Sequence, residues 1–458
     1  MSRRMSSSFV LLSLLAFAHA VSVPFTKVPA PGAQDTQVLA SSSKDASDPF
    51  QFDNLNDIIN SDIYVATVTI DGKDYVVQLD TGSSDLWLDT TGQSLSSLTN
   101  TGQQTGVVYG DGTQAVGPIL IGPVQFGNTT VNSAFISAPG SNATTNGDKG
   151  LLGVGPPSLS AIKQQLTGST FDGDTLLENI FQSNTSEQEF ITFQLSRSLS
   201  TGTTDGGVFT IGEVNSTFSA VSSAPQLSVV SKDRWVVLMD GIIVNGQNFS
   251  GQSSFSGVAG QTAGQTLANL DTGTSLAQIP QAYVDAIYGN IPGAQFSASQ
   301  GVYLLPCSAN INVSFVFGGV EFPIHPIDTV AATLDSNNDV ACFSGFPASS
   351  GTDSSEDLLL GDSFLRNAYS LFNFGDFISG NSATPFIQLL STTDQGQAFS
   401  EFDSLSAQRN ASLTSKTAKD GPSSSGGSSN GASLIVPQSF HVALGSLFAL
   451  SIGVIALL

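Results

Sequence analysis

Histidine is almost missing from this chain of 458 residues: only His19, His325 and His441 occur. The first and last lie in terminal segments expected to be removed, which leaves one histidine in the mature chain. A Ser-His-Asp triad or a His-rich zinc site would have to be built around His325, which stands in Pro-Ile-His-Pro and reads as a surface loop residue. Cysteine is nearly as scarce, with two copies. Behind a secretory leader an even count favours a disulfide, so Cys307 and Cys342 read as partners rather than nucleophiles, with two free thiols as the other reading. Closing a loop of that length contributes about 3–4 kcal/mol in the chain-entropy picture.

Basic residues are the third deficit. Fourteen Lys and Arg oppose 37 Asp and Glu, for a formal net charge of −23, and only seven basic residues fall between Lys73 and Arg366. A nucleic-acid binder needs a basic footprint, so no nucleic-acid partner is expected. As pH falls the carboxylates neutralise, and a chain poor in bases then accumulates little positive charge and little self-repulsion. Tolerance of acid is the expectation; a merely soluble acidic surface is the plain alternative. Length suffices for two domains, and 40% apolar residues with 46 glycines fit a β-rich globule rather than disorder.

The ends read as processing signals. Arg3 and Arg4, the short apolar stretch from Phe9 to Ala18 and the small-residue pattern Ala18-His19-Ala20 make residues 1–20 a signal peptide, too short to span a membrane. Residues 21–48 are rich in Pro, Ser, Ala and Asp, show no clear periodicity, and sit where a propeptide would. At the other end, 396–430 shifts to Ser, Gly, Thr and Ala and reads as a flexible linker. A largely apolar run from Val442 to Leu458 closes the chain. Small residues, a spacer and a hydrophobic tail form a GPI-attachment signal over 431–458, with Asn430, followed by Gly431 and Ala432, as the preferred attachment site. A retained transmembrane helix is the other reading, although it usually carries flanking basic residues that are absent here.

Between the ends, β-branched and aromatic runs alternate with Gly, Asn and Ser clusters, as in Ile63 to Ile70 before Asp71-Gly72 and Val236 to Val244 before Asn245-Gly246. This is an all-β pattern with hairpins. A boundary near Phe218 to Leu227 divides it into lobes of residues 49–222 and 223–395. Sequons begin at Asn128, Asn142, Asn184, Asn215, Asn248, Asn312 and Asn410, and several of these are expected to carry glycans.

One short pattern occurs twice. Leu79-Asp80-Thr81-Gly82-Ser83-Ser84 and Leu270-Asp271-Thr272-Gly273-Thr274-Ser275 lie 191 residues apart, each closing an apolar strand-like run. A lone Asp-x-Gly is ordinarily a turn that satisfies its own backbone. Duplication instead suggests two similar lobes that bring Asp80 and Asp271 together across a pseudo-twofold axis. Further landmarks recur in order: Trp87, Tyr109-Gly110-Asp111-Gly112 and Leu151-Leu152-Gly153 in the first half, and Leu358-Leu359-Leu360-Gly361 in the second. The interval from Asp to the later Gly is 73 residues in one half and 90 in the other.

On these motifs the chain resembles the pepsin-like aspartic proteases, of the secreted, GPI-anchored fungal type, from about residue 50 to 391. The resemblance implies a bilobal fold with a cleft between the lobes and an endopeptidase that acts in acid on extended protein substrates without cofactor or metal. It implies that Asp80 and Asp271 are the catalytic pair and activate a water held between them. It implies that Gly82 and Gly273 let the two turns approach closely, that Thr81 and Thr272 bond across to the opposite turn, and that Ser83 and Thr274 bond the outer carboxylate oxygens. Tyr109 and Gly110 resemble a flap that closes over substrate, with Trp87 bonding the tyrosine and Asp111 placed to accept a basic side chain beside the cleaved bond. Pepstatin-type inhibitors, a monomeric state and a lipid anchor to the membrane follow from the same likeness. The pro-segment departs from the family in having only Lys27 and Lys44 to offer to the carboxylates. A catalytically silent binding protein at the cell surface is the alternative of another class. A cell-wall structural or adhesion protein would leave the duplicated core unexplained.

Overall fold

A computed structural model describes residues 21–29, 62–109, 113–144, 148–185, 188–197, 204–335, 339–349, 355–378 and 382–419. The signal peptide, residues 30–48 of the expected propeptide, Gly110, Asp111, Asn430 and the GPI signal lie outside the described residues.

The hairpin signals act as their chemistry requires. Asp71 and Gly72 both take positive φ, at 53° and 70°, and join strand Asp62–Ile70 to strand Lys73–Asp80 with Ile70 opposite Lys73. A two-residue turn of that hand matches the natural twist of paired strands. Asn245-Gly246 repeats the device, with φ of 50° and 78°. The run expected from Val236 to Val244 divides at Asp240. Val236–Met239 pairs with Thr266–Leu270, whereas Gly241–Val244 pairs with Gln247–Phe249 and Val313–Phe317.

The largest sheet has 13 strands and crosses from one half of the chain to the other. Strands Phe386–Ser391 and Ala368–Asn373 from the second half run beside Phe190–Leu195 and Thr204–Ile211 from the first. After Thr204–Ile211 comes Val21–Pro29, antiparallel to it on one side and to Asp62–Ile70 on the other. The two halves repeat a local arrangement. Lys73–Asp80 runs parallel to Gly150–Gly153, and Thr266–Leu270 runs parallel to Leu358–Leu360. Gly150–Gly153, Thr266–Leu270 and Leu358–Leu360 are buried throughout, whereas Lys73–Asp80 alternates between core and solvent until Leu79 and Asp80.

Three expectations need correction. The segment 21–48 was expected to lack periodicity, yet Val21, Val23, Phe25 and Lys27 alternate into the core, and Phe25 meets Tyr64 edge-on at 5.6 Å between ring centroids. His325 is no surface loop residue. It is 2% exposed, its Nδ1 accepts the N–H of Ile327 at 3.1 Å, and it opens the short helix Pro326–Thr329. The flexible linker is a 25-residue helix over much of its length, Gln395–Lys419. Ala398, Phe402, Ser406, Arg409 and Leu413 are buried at helical spacing against the second half, a stripe too sparse to register against the Ser-rich average. Cys307 and Cys342 form a disulfide with Cα atoms 5.2 Å apart, beneath that helix.

Candidate active site

Each aspartate is delivered by a buried strand. Val77, Leu79, Ala268 and Leu270 are in the core, and Asp80 and Asp271 follow them at 1% exposure. The turns then lock to one another. The Thr81 hydroxyl donates to the carbonyl of Leu270 at 2.9 Å, and the Thr272 hydroxyl donates to that of Leu79 at 3.0 Å. In return, Thr81 N–H donates to Thr272 Oγ1 at 3.1 Å and Thr272 N–H donates to Thr81 Oγ1 at 3.0 Å. Four buried bonds related by a local twofold leave the two carboxylates little freedom to part.

The glycines after each threonine are required by this approach. A Cβ on Gly82 would stand 2.8 Å from the Asp271 carboxylate oxygens, and one on Gly273 would stand 2.3 Å from Asp80 Oδ1. The inner oxygens instead accept backbone N–H groups, Gly82 to Asp80 Oδ1 at 2.7 Å and Gly273 to Asp271 Oδ1 at 2.8 Å. The outer oxygens accept hydroxyls, Ser83 to Asp80 Oδ2 at 2.5 Å and Thr274 to Asp271 Oδ2 at 2.9 Å. The parallel strands hold the turns from behind. Gly153 and Gly361 pass so close that a Cβ would meet Ser84 N at 2.4 Å and Thr274 O at 2.1 Å.

Burial, and then the charge and hydrogen bond of Asp80, raise the Asp271 carboxyl well above the usual carboxylate range; Gly273 N–H and the Thr274 hydroxyl oppose them. Two buried acids in contact retain a proton between them. The pair can therefore accept a proton at one oxygen and donate one at another. Among the described residues no group of three His, Cys, Asp or Glu is placed to hold a metal ion. A cavity of about 350 Å³ lies elsewhere, lined by Phe249, Ile287, Ile291 and Ile311, and includes neither aspartate.

Trp87 and Tyr109 meet as expected, the indole Nε1–H donating to the phenol oxygen at 2.6 Å. Tyr109 follows strand Thr99–Val108, and its N–H donates to Thr113 O at 2.9 Å across the hairpin. Gly110 and Asp111 lie outside the described residues. Sequence reasoning passed over Asp85, which is buried with Ser160 and the N–H groups of Ala161 and Ile162 on its carboxylate. It also missed Asp328, held between Arg197 and Arg366.

Of the sequon asparagines, Asn128, Asn142 and Asn248 are exposed, while Asn184, Asn215 and Asn312 are half-buried. Asn312 Oδ1 accepts Gln395 Nε2 at 2.6 Å, and Asn215 Oδ1 caps the turn at Thr217 N at 3.0 Å. Asn410 lies in the C-terminal helix with its carbonyl oxygen enclosed.

A family profile described as eukaryotic aspartyl protease matches residues 63–383. An aspartic protease of Phaffia rhodozyma is 29% identical over 353 residues, covering 72% of this chain and 78% of the relative. Penicillopepsin-3 of Penicillium janthinellum is 26% identical over 335 residues, covering 68% and 75%. The crystal structure of the aspartic proteinase from Irpex lacteus superposes with a TM-score of 0.56 at 21% identity, over 82% of this chain and 98% of that one.

Proposed function

The chain belongs to the eukaryotic aspartyl protease family, and from that premise we propose how this aspartic-type endopeptidase works and where. Peptide bonds are its substrate class, and pepstatin-type inhibition goes with the family in general. The finer reading is that Asp80 and Asp271 act on one water in acid. One carboxylate takes a proton from that water while the protonated partner polarises the scissile carbonyl, giving a tetrahedral intermediate with no acyl-enzyme; this shared-proton scheme is the general one for aspartic proteases. The observation that supports it is the contact of the two carboxylates within a symmetric set of threonine and glycine bonds. With the Asp271 carboxyl raised, the pair keeps its shared proton throughout the acidic range in which it is proposed to work.

An extended substrate would lie in the cleft between the halves, under the hairpin that carries Tyr109. Asp111 would then select a basic side chain next to the cleaved bond. Substituting Asp111 by Thr should lower cleavage of Lys- and Arg-containing peptides far more than that of apolar ones; equal losses would count against this role. The leader-like N-terminus and the apolar C-terminus support passage through the secretory pathway and a lipid anchor at Asn430 on the cell surface. Exposed Asn128, Asn142 and Asn248 are the sequons best placed to carry glycans. The direct test of activity is hydrolysis of a denatured protein at roughly pH 4 with and without pepstatin. Pepstatin-sensitive cleavage is expected, and binding without cleavage would favour a silent surface protein.

A further inference from the structure

Asp85 has no part in the reaction as described, yet it lies between the catalytic turn and the flap. Its carboxylate accepts the Ser160 hydroxyl at 2.5 Å, Ala161 N–H at 2.7 Å and Ile162 N–H at 3.3 Å. Those donors form the first turn of the short helix Ala161–Leu166. From that helix Ile162 and Leu166 pack into one apolar cluster with Trp87 and Tyr109. Gln165 Nε2 also donates to Gln103 Oε1 at 3.1 Å, on the strand that leads to Tyr109. On the other side, the Asp85 carbonyl accepts Gly153 N–H at 2.9 Å, the strand that backs the first aspartate.

We propose that Asp85 is a positioning residue for Tyr109: next to the catalytic turn, it fixes the helix Ala161–Leu166, which shares one apolar cluster with Trp87 and Tyr109. The inference rests on the endopeptidase reading. Burial pushes the Asp85 carboxyl up to about 6, against the opposing bonds from Ser160, Ala161 and Ile162. Among the described residues no charged side chain bonds to it: Lys163 of the same helix turns to Glu178 at 2.5 Å and Asp174 at 2.8 Å. At the proposed working pH the acid is therefore neutral. In the neutral acid Oδ2 still accepts Ala161 N–H while a protonated Oδ1 donates to Ser160 Oγ instead of accepting from it, an arrangement that an asparagine matches except for the long Ile162 N–H bond at 3.3 Å.

The test uses the full-length protein and its own fluorophore. Two tryptophans are present, so in a Trp235→Phe background Trp87 alone reports the Tyr109 contact. Asp85→Ala should raise KM for a peptide substrate about five- to tenfold with kcat changed less than about threefold, and shift Trp87 emission to the red. Asp85→Asn should restore both at acidic pH. It should also abolish any titration of Trp87 emission near pH 6 seen with aspartate in place. If Asp85→Ala does not fold, Ser160→Ala removes one donor and should show the same changes in smaller measure. Unchanged KM and emission in a folded variant would overturn the proposal, as would loss of kcat at constant KM, which would place the effect on the dyad. The emission arm reads the flap even in the absence of hydrolysis, so failure of the endopeptidase reading would be seen separately as a wild-type protein with no pepstatin-sensitive cleavage.

Discussion

Two buried carboxylates outside the dyad give the stability of the protein opposite slopes with pH. Asp85 has its folded-state pKa raised from 3.8 to about 6 by burial. An acid raised in this way binds its proton more tightly when folded, so its contribution is complete below the unfolded value and is lost as pH rises through about 6, amounting to about 3 kcal/mol. Asp328 is the reverse case. Burial alone would raise it, but the guanidinium groups of Arg197 and Arg366 outweigh burial and hold it well below the usual carboxylate range. Its contribution is present above the unfolded value and fades as pH falls below roughly 4. Asp85→Asn should therefore flatten the decline in unfolding midpoint between pH 4 and roughly 6.5, as followed by circular dichroism. An equal decline in wild type and variant would remove Asp85 from the account. Asp328→Asn should cost about 3–5 kcal/mol at pH 6, because it strands Arg366 in the core. A urea midpoint unchanged from wild type would show that the Arg197 bond between the two halves is dispensable.

Among the elements, the C-terminal helix Gln395–Lys419 departs most from a reading of composition. Phe402 packs on Ile327, Ser406 donates to the Cys307 carbonyl at 3.0 Å, and the Arg409 guanidinium caps carbonyls of Ile327 and Val330 at the end of a neighbouring short helix. His325 Nε2 lies 3.1 Å from Glu401 Oε1 at the start of the same helix. Truncation after Lys419 should leave stability intact. Truncation after Ser391 should expose the disulfide region and lower the melting midpoint sharply, and Phe402→Ala alone should cost about 3–5 kcal/mol. Calorimetry of the three truncated or substituted proteins decides the matter, and equal midpoints would return the segment to linker status. The sequence could not display this helix because five buried positions are diluted among serines and glutamines. The dyad was legible for the opposite reason: two aspartates that must meet need the same turn, so the chemistry wrote one motif twice. Asp85 was illegible because its donors lie 75 to 77 residues away, and Arg197 because its partner Asp328 is 131 residues off. The strand at Val21 was obscured by its two prolines, Pro24 and Pro29.

For the molecule as a whole, the shortage of basic residues and the raised acids point the same way. Asp271, like Asp85, is more protonated when folded, so both favour the folded state in acid, while Asp328 sets the lower limit. The unfolding midpoint should therefore peak near roughly pH 4 and fall on both sides. If the tail is exchanged for a lipid, the mature chain ends at Asn430, and recovery of a C-terminal peptide containing Val454 to Leu458 from the cell-bound protein would contradict the anchor. The central claim is that Asp80 and Asp271 work as one unit, and the most direct measurement is hydrolysis by purified Asp80→Asn and Asp271→Asn proteins at acidic pH. Each should lose at least about a thousandfold in kcat/KM while keeping a near wild-type melting midpoint, since the threonine bonds that hold the two turns are undisturbed. A folded variant of either kind that retained more than about a tenth of wild-type activity would contradict the account.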